Sequence, residues 1–129
     1  MTMKTPEPRG EPILRVVPGP DNINANGHIF GGWVLSQMDI AAGIVASREA
    51  DGPVATVAIE GMAFIAPILL RDLVSVYARV ERVGRTSIAI RIDVIASRNR
   101  GTSEVMVTEG VFTFVALDEN HQPRPVKPG

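Results

Sequence analysis

Cysteine is absent from this 129-residue chain. That removes disulfides, thiolate metal ligands and a cysteine nucleophile together, and it fits a reducing compartment, read here as the cytoplasm. Histidine is almost as scarce: His28 and His121 stand far apart, with no H-x-x-x-H or E-x-x-H spacing, so no metal site is expected. An excess of one charge is also missing, since 13 basic residues face 14 acidic ones for a net charge of -1. Nucleic-acid binding, which needs a basic surplus to neutralise phosphates, is therefore not expected. No run approaches the roughly 20 apolar residues of a membrane span, and MTMKTPEPRGEP carries no apolar leader core. G-x-S-x-G and G-x-G-x-x-G are absent too, which argues against a serine hydrolase elbow and a dinucleotide site.

What is present is one domain's worth of patterned sequence. Residues 1–11 and the proline-rich tail, from 125 to 129 at its loosest, read as flexible ends around a domain spanning 12–124. ILRVV at 13–17 is a short strand closed by the turn chemistry of PGPDN. Residues 33–47 hold no proline and only Gly43, which predicts a helix of about four turns that is apolar nearly all round. From Val54 the period drops from 3.6 to 2: VATVAIEGMAFIAP, DLVSVYARVERV, TSIAIRIDVIAS and EVMVTEGVFTFVAL read as four strands. The links VGRTS and RNRGTS are too short for crossovers, so the sheet is expected to be antiparallel, with its last four strands in a meander. A five-stranded sheet wrapped on one helix, an α+β architecture, satisfies this order.

The helix poses the chemical question. On a 100° wheel Asp39 falls among Leu35, Ala42, Gly43 and Ala46, away from the polar stripe of Ser36, Gln37, Ser47 and Arg48. It lies too deep to cap the helix. A carboxylate in apolar surroundings is a stronger base, if substrate or water reaches it. Gly31 and Gly32 open the helix, where amides without intrahelical partners and the positive end of the dipole can polarise a carbonyl. The bland alternatives are a tight loop-to-helix turn for the glycines and a structural ion pair for the aspartate. His121 reads as a solvated residue, His28 as a loop histidine more readily than a proton-transfer group, and the asparagines of DNINANG as turn formers.

NANGHIFGGWVLSQMDIAAG resembles the signature of hotdog-fold acyl-CoA thioesterases, in particular small bacterial acyl-CoA hydrolases related to the cytosolic brain type. The likeness runs over about residues 12–124, through VAIEGMAFIAPI and VGRTSIAIRIDV to TEGVFTFVALDENHQPRP. It implies a hotdog fold, with the sheet curled around the long helix. Two subunits would join their sheets edge to edge, often as a trimer of dimers, with active sites at the dimer interface. It places the catalytic acid at Asp39, a partnering asparagine given by the other subunit at Asn24, and the carbonyl-holding backbone at Gly31 and Gly32. For coenzyme A it points to Arg85, Thr86 and Ser87, with Arg98 and Arg100; arginine forks suit phosphates. Phe64 and Met62 are candidates for lining the acyl or pantetheine path, with core packing as the competing role. The implied substrate is an acyl-CoA and no further cofactor is needed. Two positions depart from the pattern: His28 stands where many bacterial relatives have aspartate, and Ala66 where the F-x-x-P turn usually has a basic residue. A hydroxyacyl-thioester dehydratase, a non-catalytic acyl-CoA-binding protein and an interaction module working through its sheet edge are the competing readings.

Overall fold

The computed structural model describes residues 10–127. Most of the expected loose N-terminus therefore lies outside the described residues. The element order is β1 (Leu14–Val16), α1 (Gly31–Ala50), β2 (Val54–Phe64), β3 (Leu73–Val83), β4 (Ser87–Arg98) and β5 (Ser103–Ala116), with single 3-10 turns at Pro20–Asn22 and Asn99–Gly101. All five strands form one antiparallel sheet in the order β1-β3-β4-β5-β2. The helix extends beyond 33–47 at both ends, because the glycine pair adopts helical geometry and its last turn runs on to Ala50.

One expectation needs correction. The last four strands are not a simple meander: β3, β4 and β5 follow one another, but β2 pairs with β5 and occupies the far edge. The eight residues 65–72 carry the chain from that edge to β3 on the other side. Hairpin links fix neighbours, whereas a connection of this length leaves the pairing to the sheet as a whole.

Alternation decides the core. Val74 and Val76 of β3, Ile88, Ile90, Ile92 and Val94 of β4, and Phe112 and Phe114 of β5 face the helix and meet Val34, Met38, Ala41, Ala42 and Ala46. The three alanines let the helix lie close to the sheet. Each large side chain buried there contributes about 1.5–3 kcal/mol of transfer free energy.

The exit segment is held, although its prolines suggested a loose tail. Val126 joins the core at 3% exposure and its N–H donates to the Arg85 carbonyl. Arg124 spreads its guanidinium over three carbonyls: those of Ala50 (2.7 Å), Leu117 (2.9 Å) and Pro125 (3.0 Å). The Ala50 contact supplies a cation at the negative end of α1, where the dipole favours one. Prolines removed donors from the tail, and one arginine restored them.

Candidate active site

Phe30 is the N-cap of α1 and provides no side-chain acceptor, so the first-turn amides have no capping side chain. Aromatic rings close around the glycine pair. A Cβ on Gly31 would lie 3.3 Å from Cζ of Phe64, and one on Gly32 would lie 3.3 Å from Cε2 of Phe30. Side chains at either position would push a ring aside, which is a packing reason for two glycines at an end where a ligand can approach backbone N–H groups.

The loop before this end is organised by Asn24. Its Oδ1 accepts from the N–H groups of Asn26 (2.9 Å) and His28 (3.1 Å), and its own N–H donates to the His28 carbonyl at 2.7 Å. This is the turn chemistry expected of asparagine, and it leaves the Nδ2 group outside the loop's own bonding.

Asp39 is not buried. The sheet covers α1 along β3 and β4, but the flank towards β2 is open, and Asp39 lies exposed there beside Ile40. The expectation of a carboxylate sunk among small apolar residues therefore fails for the single chain: Ala42 and Ala46 turn to the sheet while Asp39 turns to its edge. Its Oδ1 accepts a 2.6 Å hydrogen bond from the Thr56 hydroxyl of β2. Sequence reasoning missed Thr56; the available signal was a lone hydroxyl in an otherwise apolar start to VATVAIEGMAF.

Asp39 and Gly31 are eight residues apart on one helix, about 12 Å along its axis. One thioester carbonyl cannot touch both within a chain. The flank between them is an apolar strip, with Ile40, Val57, Ile59, Phe64 and Ile65 each about half exposed or more. It runs along the edge of β2 that no other strand among the described residues pairs with, where backbone groups are open to a further strand.

The candidate coenzyme A residues are not gathered in one place. Arg85, Thr86 and Ser87 form the β3–β4 turn, closed by a bond from Gly84 N–H to the Ser87 carbonyl at 2.8 Å. Arg98 is the last residue of β4 and Arg100 lies in the turn after it, roughly 36 Å away at the rise of a strand. Arg98 is engaged: its Nε donates to both carboxylate oxygens of Asp72 (3.0 and 3.1 Å), and its Nη2 to the Pro67 carbonyl at 2.6 Å. Asp72 is buried and also accepts from Leu69 N–H at 2.8 Å. The pair fastens the β2–β3 connection. Arg85 is exposed, and Arg100 stands exposed in a left-handed conformation at φ 59. Met62 packs against the core beside Gly110, whereas Phe64 is 59% exposed over Gly31. Among the described residues no cluster of three or more histidines or acids could hold a metal ion, and no helix is long and apolar enough to cross a membrane.

The chain belongs to the thioesterase superfamily, whose family model matches residues 26–103 and so spans both the helix start and Asp39. Its relatives include the acyl-CoA thioester hydrolase YciA of Salmonella typhimurium, 45% identical over 130 residues that cover 98% of this chain and 97% of the relative. Among solved structures it is similar to the hexameric thioesterase y2039 from Yersinia pestis, at 44% identity and a TM-score of 0.87, covering 95% of this chain and 99% of that one. It also resembles HI0827, a hexameric broad-specificity acyl-coenzyme A thioesterase, at 43% identity and a TM-score of 0.83, covering 92% and 82%.

Proposed function

We propose that this protein hydrolyses acyl-CoA thioesters in the cytoplasm at sites formed between two copies of the chain. One observation carries the reading: Asp39 sits on Thr56 and Gly31 sits on Phe64, at positions of β2 eight residues apart. Antiparallel pairing of two β2 edges about Glu60 sets Thr56 of each copy opposite Phe64 of the other. The carboxylate of one chain then meets the helix start of the second, twice per dimer, and the apolar strip is covered. Assembly of such dimers into a hexamer follows the relatives named above.

At that junction the amides of Gly31 and Gly32 hold the thioester oxygen and stabilise the negative charge it gains. Asp39 of the opposite copy supplies the attack, by taking a proton from water or by bonding to the carbonyl carbon itself. The carbon–sulfur bond breaks and the thiolate of coenzyme A leaves and takes up a proton; the acid is released at once where water attacked, or after a water molecule hydrolyses the acyl–Asp39 anhydride where Asp39 attacked. Thr56 orients Asp39, and the free Nδ2 of Asn24 is available to position the water. The same symmetry brings Arg85, Thr86 and Ser87 of one chain towards the end of the sheet that carries Arg100 in the other, which suits the phosphates of coenzyme A.

The test is release of free thiol from acyl-CoA. Asp39→Asn is expected to lower kcat by about 10²–10⁴, and Thr56→Val by about tenfold, the worth of a hydrogen bond to a charged group. Both variants stay folded and oligomeric. Undiminished turnover by Asp39→Asn removes the residue from the mechanism. A single turnover in ¹⁸O-water tests the nucleophilic mode: label in the Asp39 carboxylate requires an acyl–Asp39 anhydride opened at the aspartyl carbon, whereas activation of water leaves Asp39 unlabelled.

A further inference from the structure

Beneath the start of α1 lies a cavity of about 230 Å³ that no role described so far uses. Ile29, Gly31, Val34, Phe64 and Ile68 are among its lining residues, and the only polar side chain on its wall belongs to Thr108. Thr108 is 1% exposed. It pairs with Phe64 on one side and Val94 on the other, so its side chain is on the helix face of the sheet. Among the described residues its hydroxyl has no hydrogen-bond partner. A buried hydroxyl left unanswered is disfavoured, and a valine of the same shape would avoid the penalty. Such a group has an explanation when a ligand completes it.

The position of the cavity says which part of a ligand. Gly31 opens the helix and lines the cavity, so a thioester whose oxygen meets that amide end can send its acyl chain past Gly31 and Phe64 towards Thr108. Water occupies about 30 Å³ per molecule, and the cavity therefore takes roughly seven or eight non-hydrogen atoms. That is the size of a short acyl group, not a long fatty chain.

We propose that this cavity receives the acyl end of the substrate, and that Thr108 selects short acyl groups bearing a hydroxyl or keto oxygen over plain ones of the same length. The inference rests on the thioesterase reading, since it takes Gly31 as the carbonyl-holding end. Chain length is limited by the volume, and the oxygen is selected by the hydroxyl.

The experiment compares kcat/KM for butanoyl-CoA, 3-hydroxybutanoyl-CoA and dodecanoyl-CoA in the wild type, Thr108→Val and Thr108→Ser. The wild type is expected to prefer the hydroxylated substrate by about tenfold or more, because a site built to hydrogen-bond a substrate oxygen rejects the analogue lacking it. Dodecanoyl-CoA is expected to be the poorest substrate. Thr108→Val should bring the ratio of hydroxylated to plain substrate to about one, and Thr108→Ser should keep the preference. Thermal unfolding checks that Thr108→Val is at least as stable as the wild type, as the loss of an unpartnered hydroxyl requires. An unchanged ratio in Thr108→Val, an equal fall on both short substrates, or a wild type without preference overturns the subsite and leaves the thioesterase reading intact. A wild type that hydrolyses none of the three overturns both.

Discussion

β2 and β4 are nearly the same length and similarly apolar, yet they live in opposite surroundings. In β4, SIAIRIDVIASR, the middle of the strand is buried almost without interruption, between β3 and β5 and under the helix. In β2, VATVAIEGMAF, no residue is fully buried and Val57, Ile59 and Phe64 stand largely exposed at the free edge. A long, exposed, apolar edge is a liability in a lone chain. The difference teaches that β4 is composed for this chain's core and β2 for a surface the chain does not itself supply, and the candidate acid, its hydroxyl partner and the glycine pair all sit on the β2 side.

A charge placed on each strand in turn tests that contrast most severely. Ile90→Lys puts an unpaired ammonium at a position of 0% exposure and is expected to cost more than about 4 kcal/mol, a large part of the roughly 5–15 kcal/mol that holds a typical domain together. Ile59→Lys, at 48% exposure, should change the stability of the single chain by no more than about 0.5 kcal/mol. It should instead prevent self-association and with it activity. Denaturant unfolding and sedimentation measure the two. A dimer that survives Ile59→Lys with full turnover would mean that β2 is not the interface.

A smaller effect separates the two groups of arginines. Removing the side chain in Arg98→Ala leaves buried Asp72 without its cation and Pro67 without its donor, at a cost of about 2 kcal/mol, the scale of a charged hydrogen bond with a partner 22% exposed to solvent. KM for acyl-CoA should move little, because Arg98 acts on the connection between β2 and β3. Arg85→Ala is expected to do the reverse, raising KM while stability stays as it was. A rise in KM in Arg98→Ala without loss of stability would return Arg98 to the coenzyme A site.

These contrasts also mark what the sequence made legible. Period-2 runs and a proline-free apolar segment gave the five strands and the helix, because alternation and helical periodicity are local. The glycine pair and Asp39 stood out because an apolar helix offers few other polar anomalies. The place of β2 in the sheet was not legible, since alternation states which face is apolar and not which strand lies alongside. Asp39 was misplaced for the same reason: a wheel shows neighbours on the helix but not which flank the sheet leaves open. The Arg98–Asp72 pair, 26 residues apart, and the Arg124 clamp on Ala50, 74 residues away, have no local signature at all. Thr56 was passed over although it is the lone hydroxyl at an apolar strand start, and Thr108 is distinguished only by its surroundings.

The weakest expected effect lies in the exit segment, the region that most resembles β4 in being fastened within the chain. The N–H groups of Gln122 and Asn120 donate to the Asp118 carboxylate, at 3.0 and 2.8 Å, and hold its pKa below the ordinary value of 3.8. A carboxyl with a lowered folded-state pKa adds stability above its unfolded value, and that increment is lost as pH falls through the folded pKa. Asp118→Asn keeps an acceptor oxygen and removes the charge. The variant should therefore unfold slightly more easily than the wild type at neutral pH, and the two should converge as pH is taken well below 3.8. Because Asp118 lies at the surface, half-buried rather than enclosed, the difference should be small and should shrink further in high salt. A gap between the thermal unfolding curves that stays constant from neutral to acid pH would mean that the turn is held by its backbone bonds alone, with no contribution from the charge.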